Sequence, residues 1–133
     1  MRDRPTGAEL LDTARQVLRD ELIPALPADK RMSALMIANA LAIAARQLQN
    51  GDDLERAELA ALEHLLSEPF APASGDTAAV RGGLLSANRK LSEWIRGGRA
   101  DDGPLREDVR AHLASAIRHK VAESNPKYLG PQG

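Results

Sequence analysis

The sequence predicts an all-α protein: a single compact bundle of about five helices around a central apolar helix at roughly residues 30–49. Three observations predict it. Apolar residues recur at three- and four-residue spacing in five successive segments, most of them bounded by Pro, Gly or Asn. β-branched residues are sparse and never alternate over the length of a strand. Phe70, Trp94 and Tyr128 are the only aromatic residues, so the core must be built from Leu, Ala, Ile, Val and Met, with alanine allowing close helix approach.

The first helix is expected to start at Thr6, because Thr6 and Glu9 have the spacing of a reciprocal N-terminal capping box. Leu10, Leu11, Ala14, Val17, Leu18 and Leu22 then share one face, and Pro24 and Pro27 end the helix. Glu21 falls on that apolar stripe. The second helix, Lys30 to Gln49, is apolar almost all round and stops at Asn50-Gly51. Met32, Leu35, Met36 and Ile43 lie on one side; Ile37, Leu41, Ala44 and Leu48 lie on the other. Asn39 and Arg46 sit two turns apart on the first side, inside the expected fold.

A third helix begins at Asp52, with Glu55 placed for another capping box, and continues to about Ser67 on an inner stripe of Leu59, Leu62, Leu65 and Leu66. The Pro/Gly/Ser-rich stretch 68–76 follows as a loop too short to separate two domains. The fourth helix spans Thr77 to Arg96 with Val80, Leu84, Leu91 and Ile95 on one face and Asn88 among them. Gly82-Gly83 inside it is expected to kink it or delay its start. Pro104 opens the fifth helix, whose inner positions are Val109, Leu113, Ala116, Ile117 and Val121, with Lys120 on the same stripe. Asn125-Pro126 ends it. The chain thus reads as one helical domain, 1–133, with a C-terminal tail at 124–133.

At 14.3 kDa such a domain buries roughly two-thirds of its unfolded surface, enough for a core without staples. The absence of cysteine removes disulfides, thiolate metal sites and cysteine nucleophiles, and suits a reducing, cytoplasmic compartment. Met1-Arg2-Asp3-Arg4-Pro5 lacks the apolar stretch expected of a signal peptide, and the most apolar stretch, Met32 to Ala45, is shorter than the ~20 residues a bilayer needs. Formal net charge is −1, unevenly spread. Asp52 to Asp76 holds seven acids and one base, whereas Arg81 to Lys120 holds nine bases and five acids, so acidic and basic helices are expected to attract one another. A near-neutral pI and three aromatics give nucleic-acid binding no support.

No His-Glu-x-x-His or Glu-x-x-His pattern offers a metal site, and nothing asks for a cofactor. His64, His112 and His119 fall outside the apolar stripes and read as surface residues. The serines lack a nucleophile-elbow context, so a non-catalytic protein is the expectation. What remains is a set of polar residues on inward faces: Glu21, Asn39, Arg46, Asn88 and Lys120. They form either a structural network, with Glu21 pairing with Arg46, or a polar pocket between helices in which Arg46 and Lys120 favour an anionic group. Trp94, at the edge of its apolar stripe, is a candidate interface anchor.

Several segments resemble a bacterial domain-of-unknown-function family of small helical proteins. They are Ala38-Asn-Ala-Leu-Ala-Ile-Ala-Ala-Arg46, Asn88-Arg-Lys-Leu91 with Ile95-Arg-Gly97, and His112-Leu113 through Lys120 to Asn125-Pro-Lys-Tyr128. Arg4 to Leu11 and Glu21 to Leu26 fit as well. The family's motif residues map to Asn39, Arg46, Asn88, Arg96, Lys120, Asn125 and Tyr128; Gln47 departs from it where an acid is expected. Members occur beside genes for acyl-CoA dehydrogenases and aminoglycoside-phosphotransferase-like kinases. The resemblance therefore implies an accessory, interaction role in acyl-CoA or related catabolism, with a kinase-like or acyl-CoA-metabolising enzyme as partner and a homo-oligomer as a further option.

Overall fold

A computed structural model describes residues 4–72 and 74–130. The described residues are all-α, as the apolar spacing predicts. Helix α1 (Gly7–Val17) runs through a π-helical segment (Leu18–Leu22) into a single turn, α2 (Ile23–Ala25). Then come α3 (Ala28–Asn50), α4 (Asp53–Leu66), α5 (Thr77–Arg96), α6 (Gly103–Ser124) and a 3-10 turn (Pro126–Leu129). Met1–Asp3, part of the N-terminal signal-peptide reading, and Pro131–Gly133, the end of the expected tail, lie outside the described residues. The remainder of that tail forms the 3-10 turn, in which Leu129 is half-buried. Among the described residues no helix is long and apolar enough to cross a membrane.

The chain divides into two compact units. The first runs to Gly51 and takes in Glu123–Gly130. Its N-terminus is set by the expected capping box: the Glu9 amide donates to Thr6 Oγ1 at 3.3 Å, and the Thr6 amide donates to Glu9 Oε2 at 2.6 Å. The first unit packs α1 against α3 through alanines. Ala34, Ala38, Ala42 and Ala45 are spaced to line one face of α3 and are buried, as is Ala8 of α1. This corrects the picture of an all-round buried central helix. Small residues seal one face of α3, while Met32 and Met36 remain 68% and 67% exposed and Ile37 and Leu48 are exposed too. Glu21 is also exposed rather than inward. The Ile23 amide bonds back five residues to Leu18, and this wider turn changes the helical phase that placed Glu21 on the stripe.

The second unit, Asp52–Ala122, has a conventional aliphatic core of Leu59, Leu62, Leu66, Val80, Ala87, Leu91 and Val109. Its α4 does not begin with a capping box. The Asp52 carboxylate instead accepts from Arg56 at 2.8 Å and from the Thr77 hydroxyl at 2.7 Å, tying the start of α4 to the start of α5. These two bonds hold the Asp52 carboxyl below its usual pKa. Glu55 pairs with Arg81 at 2.9 Å. With Glu58–Lys120 and Glu68–Lys90, both at 3.9 Å, this realises the attraction between acidic and basic segments.

Helix α5 is continuous across Gly82-Gly83, contrary to the expected kink. Gly83 is buried because the 70–71 loop crosses it: a Cβ there would stand 2.9 Å from Ala71 Cβ and 3.1 Å from the Phe70 carbonyl oxygen. The loop is held by Glu63, whose carboxylate accepts from the amides of Phe70 and Ala71 at 2.7 and 3.1 Å.

Candidate functional site

The five expected inward polar residues are divided between the two units. Glu21, Asn39 and Arg46 belong to the first unit, Asn88 and Lys120 to the second. Arg46 turns to the last turn of α6, donating from Nε to the Glu123 carbonyl and from an Nη to that of Ser124 at 3.3 Å. It therefore caps carbonyls that a helix end leaves without partners. The Glu123 carboxylate is held in turn by Gln47 and Asn50, so the Gln47 departure places an amide where it donates to an acid. Asn88 donates to Leu84 of its own helix at 3.0 Å, a local bond rather than a contact across helices. Lys120 pairs with Glu58, and its side chain is 71% exposed. Within the first unit, Arg46 is thus engaged by the carbonyls of Glu123 and Ser124 rather than paired with Glu21.

Among the described residues, each unit holds a concavity. In the first, α3 contributes Leu35, Asn39, Ala42 and Arg46, four residues whose spacing puts them on one face. Arg15 of α1 and Arg19 of the π-helical segment form another wall, and Ser124 to Lys127 close the third. The space is about 230 Å³. Four cationic side chains line it, Arg15, Arg19, Arg46 and Lys127, and none of the lining residues is acidic. Arg15 Nε is buried and has no hydrogen-bond partner among the described residues.

The second concavity, of about 480 Å³, is a cleft between α4 and α6. Ala57, Glu58, Ala61, His64 and Leu65 line it from α4; Leu105, Asp108, Ala111, His112, Ser115, Ala116 and His119 line it from α6. All three histidines of the chain therefore share one cleft. This corrects the surface reading of His112 and His119, which are half-buried; His64 is exposed at the rim. The inner face of α6 centres on Leu105, Val109, His112 and Ala116; of the expected inner positions Val109 and Ala116 are buried, whereas Leu113 and Ile117 are exposed. Burial pushes the His112 imidazole below its usual pKa; Glu58 opposes the shift and Lys120 adds to it. His112 Nε2 is buried without a partner among the described residues. No group of three or more His, Asp or Glu among the described residues could hold a metal ion.

Residues 24–128 match a family described as a domain of unknown function, DUF6285. The chain belongs to that family. No curated protein and no solved structure matches it. The DUF6285 span takes in Asn39, Arg46 and Asn125, three residues on which the resemblance rests and which line the cationic concavity, while Arg15 and Arg19 precede it. Of the other residues on which the resemblance rests, Arg96 and Tyr128 are exposed. Trp94 is half-buried against the second unit's core, with the Arg99 guanidinium 3.8 Å over its ring.

Sequence reasoning missed Arg15, Arg19 and Lys127, which are ordinary surface residues by spacing alone. It also missed the cleft. The available signal was the run of Ala57, Ala61, Ala111 and Ala116, small residues that leave room between two helices.

Proposed function

We propose that this protein is a non-catalytic binding protein whose first unit takes a small anionic group, a carboxylate or a phosphate. One observation carries the reading: four cations and no carboxylate line a single concavity. Like charges brought together repel, and a bound anion relieves that repulsion. Guanidinium groups present paired donors that fit carboxylate and phosphate oxygens. Arg46 engages its two carbonyls through Nε and one Nη, so it both supports the wall and turns charge toward the space. Arg15 Nε, buried without a partner among the described residues, would gain one. A volume of about 230 Å³ suits one acid group rather than a whole nucleotide. Such a ligand fits an accessory role in acyl-CoA or related catabolism, since coenzyme A carries a pyrophosphate and a ribose phosphate.

Calorimetric titration with inorganic phosphate, acetate and coenzyme A tests this. Binding should weaken with salt, and Arg15→Ala or Arg19→Ala should reduce affinity by about tenfold with helicity unchanged. Absence of binding at millimolar ligand, or binding indifferent to both substitutions, refutes it.

The exposed apolar side of α3 favours a second reading, an accessory protein that docks on a kinase-like or acyl-CoA-metabolising enzyme. Met32, Met36 and Ile37 are all more than half exposed there, and adjacent exposed apolar residues of this kind mark interaction surfaces. Co-purification with the neighbouring gene products should succeed with the native chain and fail with Met36→Asp; recovery of no partner sinks this reading.

A further inference from the structure

We propose that the α4–α6 cleft of the second unit is a separate binding site for a small organic amine, a molecule with an apolar body and a protonated nitrogen. Its size, about 480 Å³, lies within the range of small-molecule pockets. Ala57, Ala61 and Leu65 repeat every four residues along α4, and Leu105 and Ala116 face the same cleft from α6. These residues offer an apolar bed without hydrogen-bonding demands.

The charge of the cleft selects the polar end of the ligand. Glu58 stands on one wall and Asp108 on the other, and no lysine or arginine is among the lining residues. Lys120 approaches Glu58 at 3.9 Å, but its side chain is largely in water while that of Glu58 is only 12% exposed. Burial favours the neutral form of His112, so this imidazole does not offset the two carboxylates near neutral pH. Its Nε2 is buried and lacks a partner among the described residues. A neutral imidazole offers one acceptor nitrogen, and an ammonium N–H is a donor that fits it. A carboxylate ligand would instead have to enter beside Glu58 and Asp108 and draw a proton onto His112, against its burial.

The probes are hexylamine, hexanoate and hexanol, which share a chain and differ in charge, titrated near neutral pH while the imidazole signals of the three histidines are followed by NMR. Hexylamine should shift the His112 and His119 signals saturably, more tightly than hexanol, and hexanoate should not. Asp108→Asn and Glu58→Gln should each weaken hexylamine by about tenfold, with the fold checked by circular dichroism. The amides of Arg15 and Arg46 should not move, which keeps this site distinct from the anion site. Hexanoate or hexanol binding as tightly as hexylamine would overturn the proposal. So would the absence of histidine shifts at millimolar hexylamine, or full hexylamine affinity in both variants.

Discussion

A methyl group on Gly83 would meet the Phe70 carbonyl and the Ala71 and Leu59 side chains at 2.9 to 3.2 Å, while one on Gly82 would meet nothing within 4 Å among the described residues. Two adjacent glycines of one helix should therefore respond in opposite directions to the same change. Gly82→Ala should stabilise by about 0.5–1 kcal/mol through helix propensity, and Gly83→Ala should destabilise by about 1–3 kcal/mol through overpacking, both read by urea denaturation. His112 gives a pH dependence. Its native pKa lies below the ordinary 6.5, so the unfolded chain takes up the proton first as pH falls. The stability due to its neutral form is complete above about 6.5 and is lost as pH drops toward the native value. The charged and titratable groups around it, Glu58, His64, Asp108, His119 and Lys120, remain in a His112→Gln variant. That variant should show a shallower loss of thermal stability between about pH 7 and pH 5 than the native chain. An equal slope would mean that His112 does not carry the effect.

At the scale of the element, helix ends were the most legible part of the sequence, because they are decided locally. Thr6 with Glu9, Asn50-Gly51 and Gly97 mark ends within a residue or two of where they occur, and Thr6→Ala should cost about 1 kcal/mol. Helix faces were less legible. The π-helical segment moved Glu21 out of phase, and α6 presents His112 rather than Leu113 to its neighbour. Periodicity also cannot see alanines as a packing face when Met, Ile and Leu alternate with them, so α3 read as buried on every side. The role of Arg46 could not be read at all. Its partners are backbone carbonyls of Glu123 and Ser124, and a carbonyl has no letter in the sequence. Arg46→Ala leaves those carbonyls without their donors and should lower stability by about 1–3 kcal/mol; Arg46→Lys should recover only part, because one ammonium does not reproduce the planar fork.

At the scale of the whole molecule, two cores of different substance follow from one composition. The Asn50-Gly51-Asp52 turn, legible as a helix stop, is also where the first unit gives way to the second. The second buries three leucines and two valines with Leu91, and the first buries alanines. A leucine removes far more apolar area from water than an alanine, so the cores should differ in resistance to opening. Native-state hydrogen exchange should find the slowest amides in α4 and α5 and faster ones in α1 and α3. Uniform protection across the chain would contradict this. The scarcity of aromatics, first read as a constraint on packing, also makes the chain its own optical probe. The only tryptophan, Trp94, lies against the second unit's core beneath Arg99, and the only tyrosine, Tyr128, lies in the first unit and is 83% exposed. Emission excited at the red edge therefore reports the surroundings of Trp94 in the second unit without labels or mutations, beside a circular dichroism signal that sums the helices of both units.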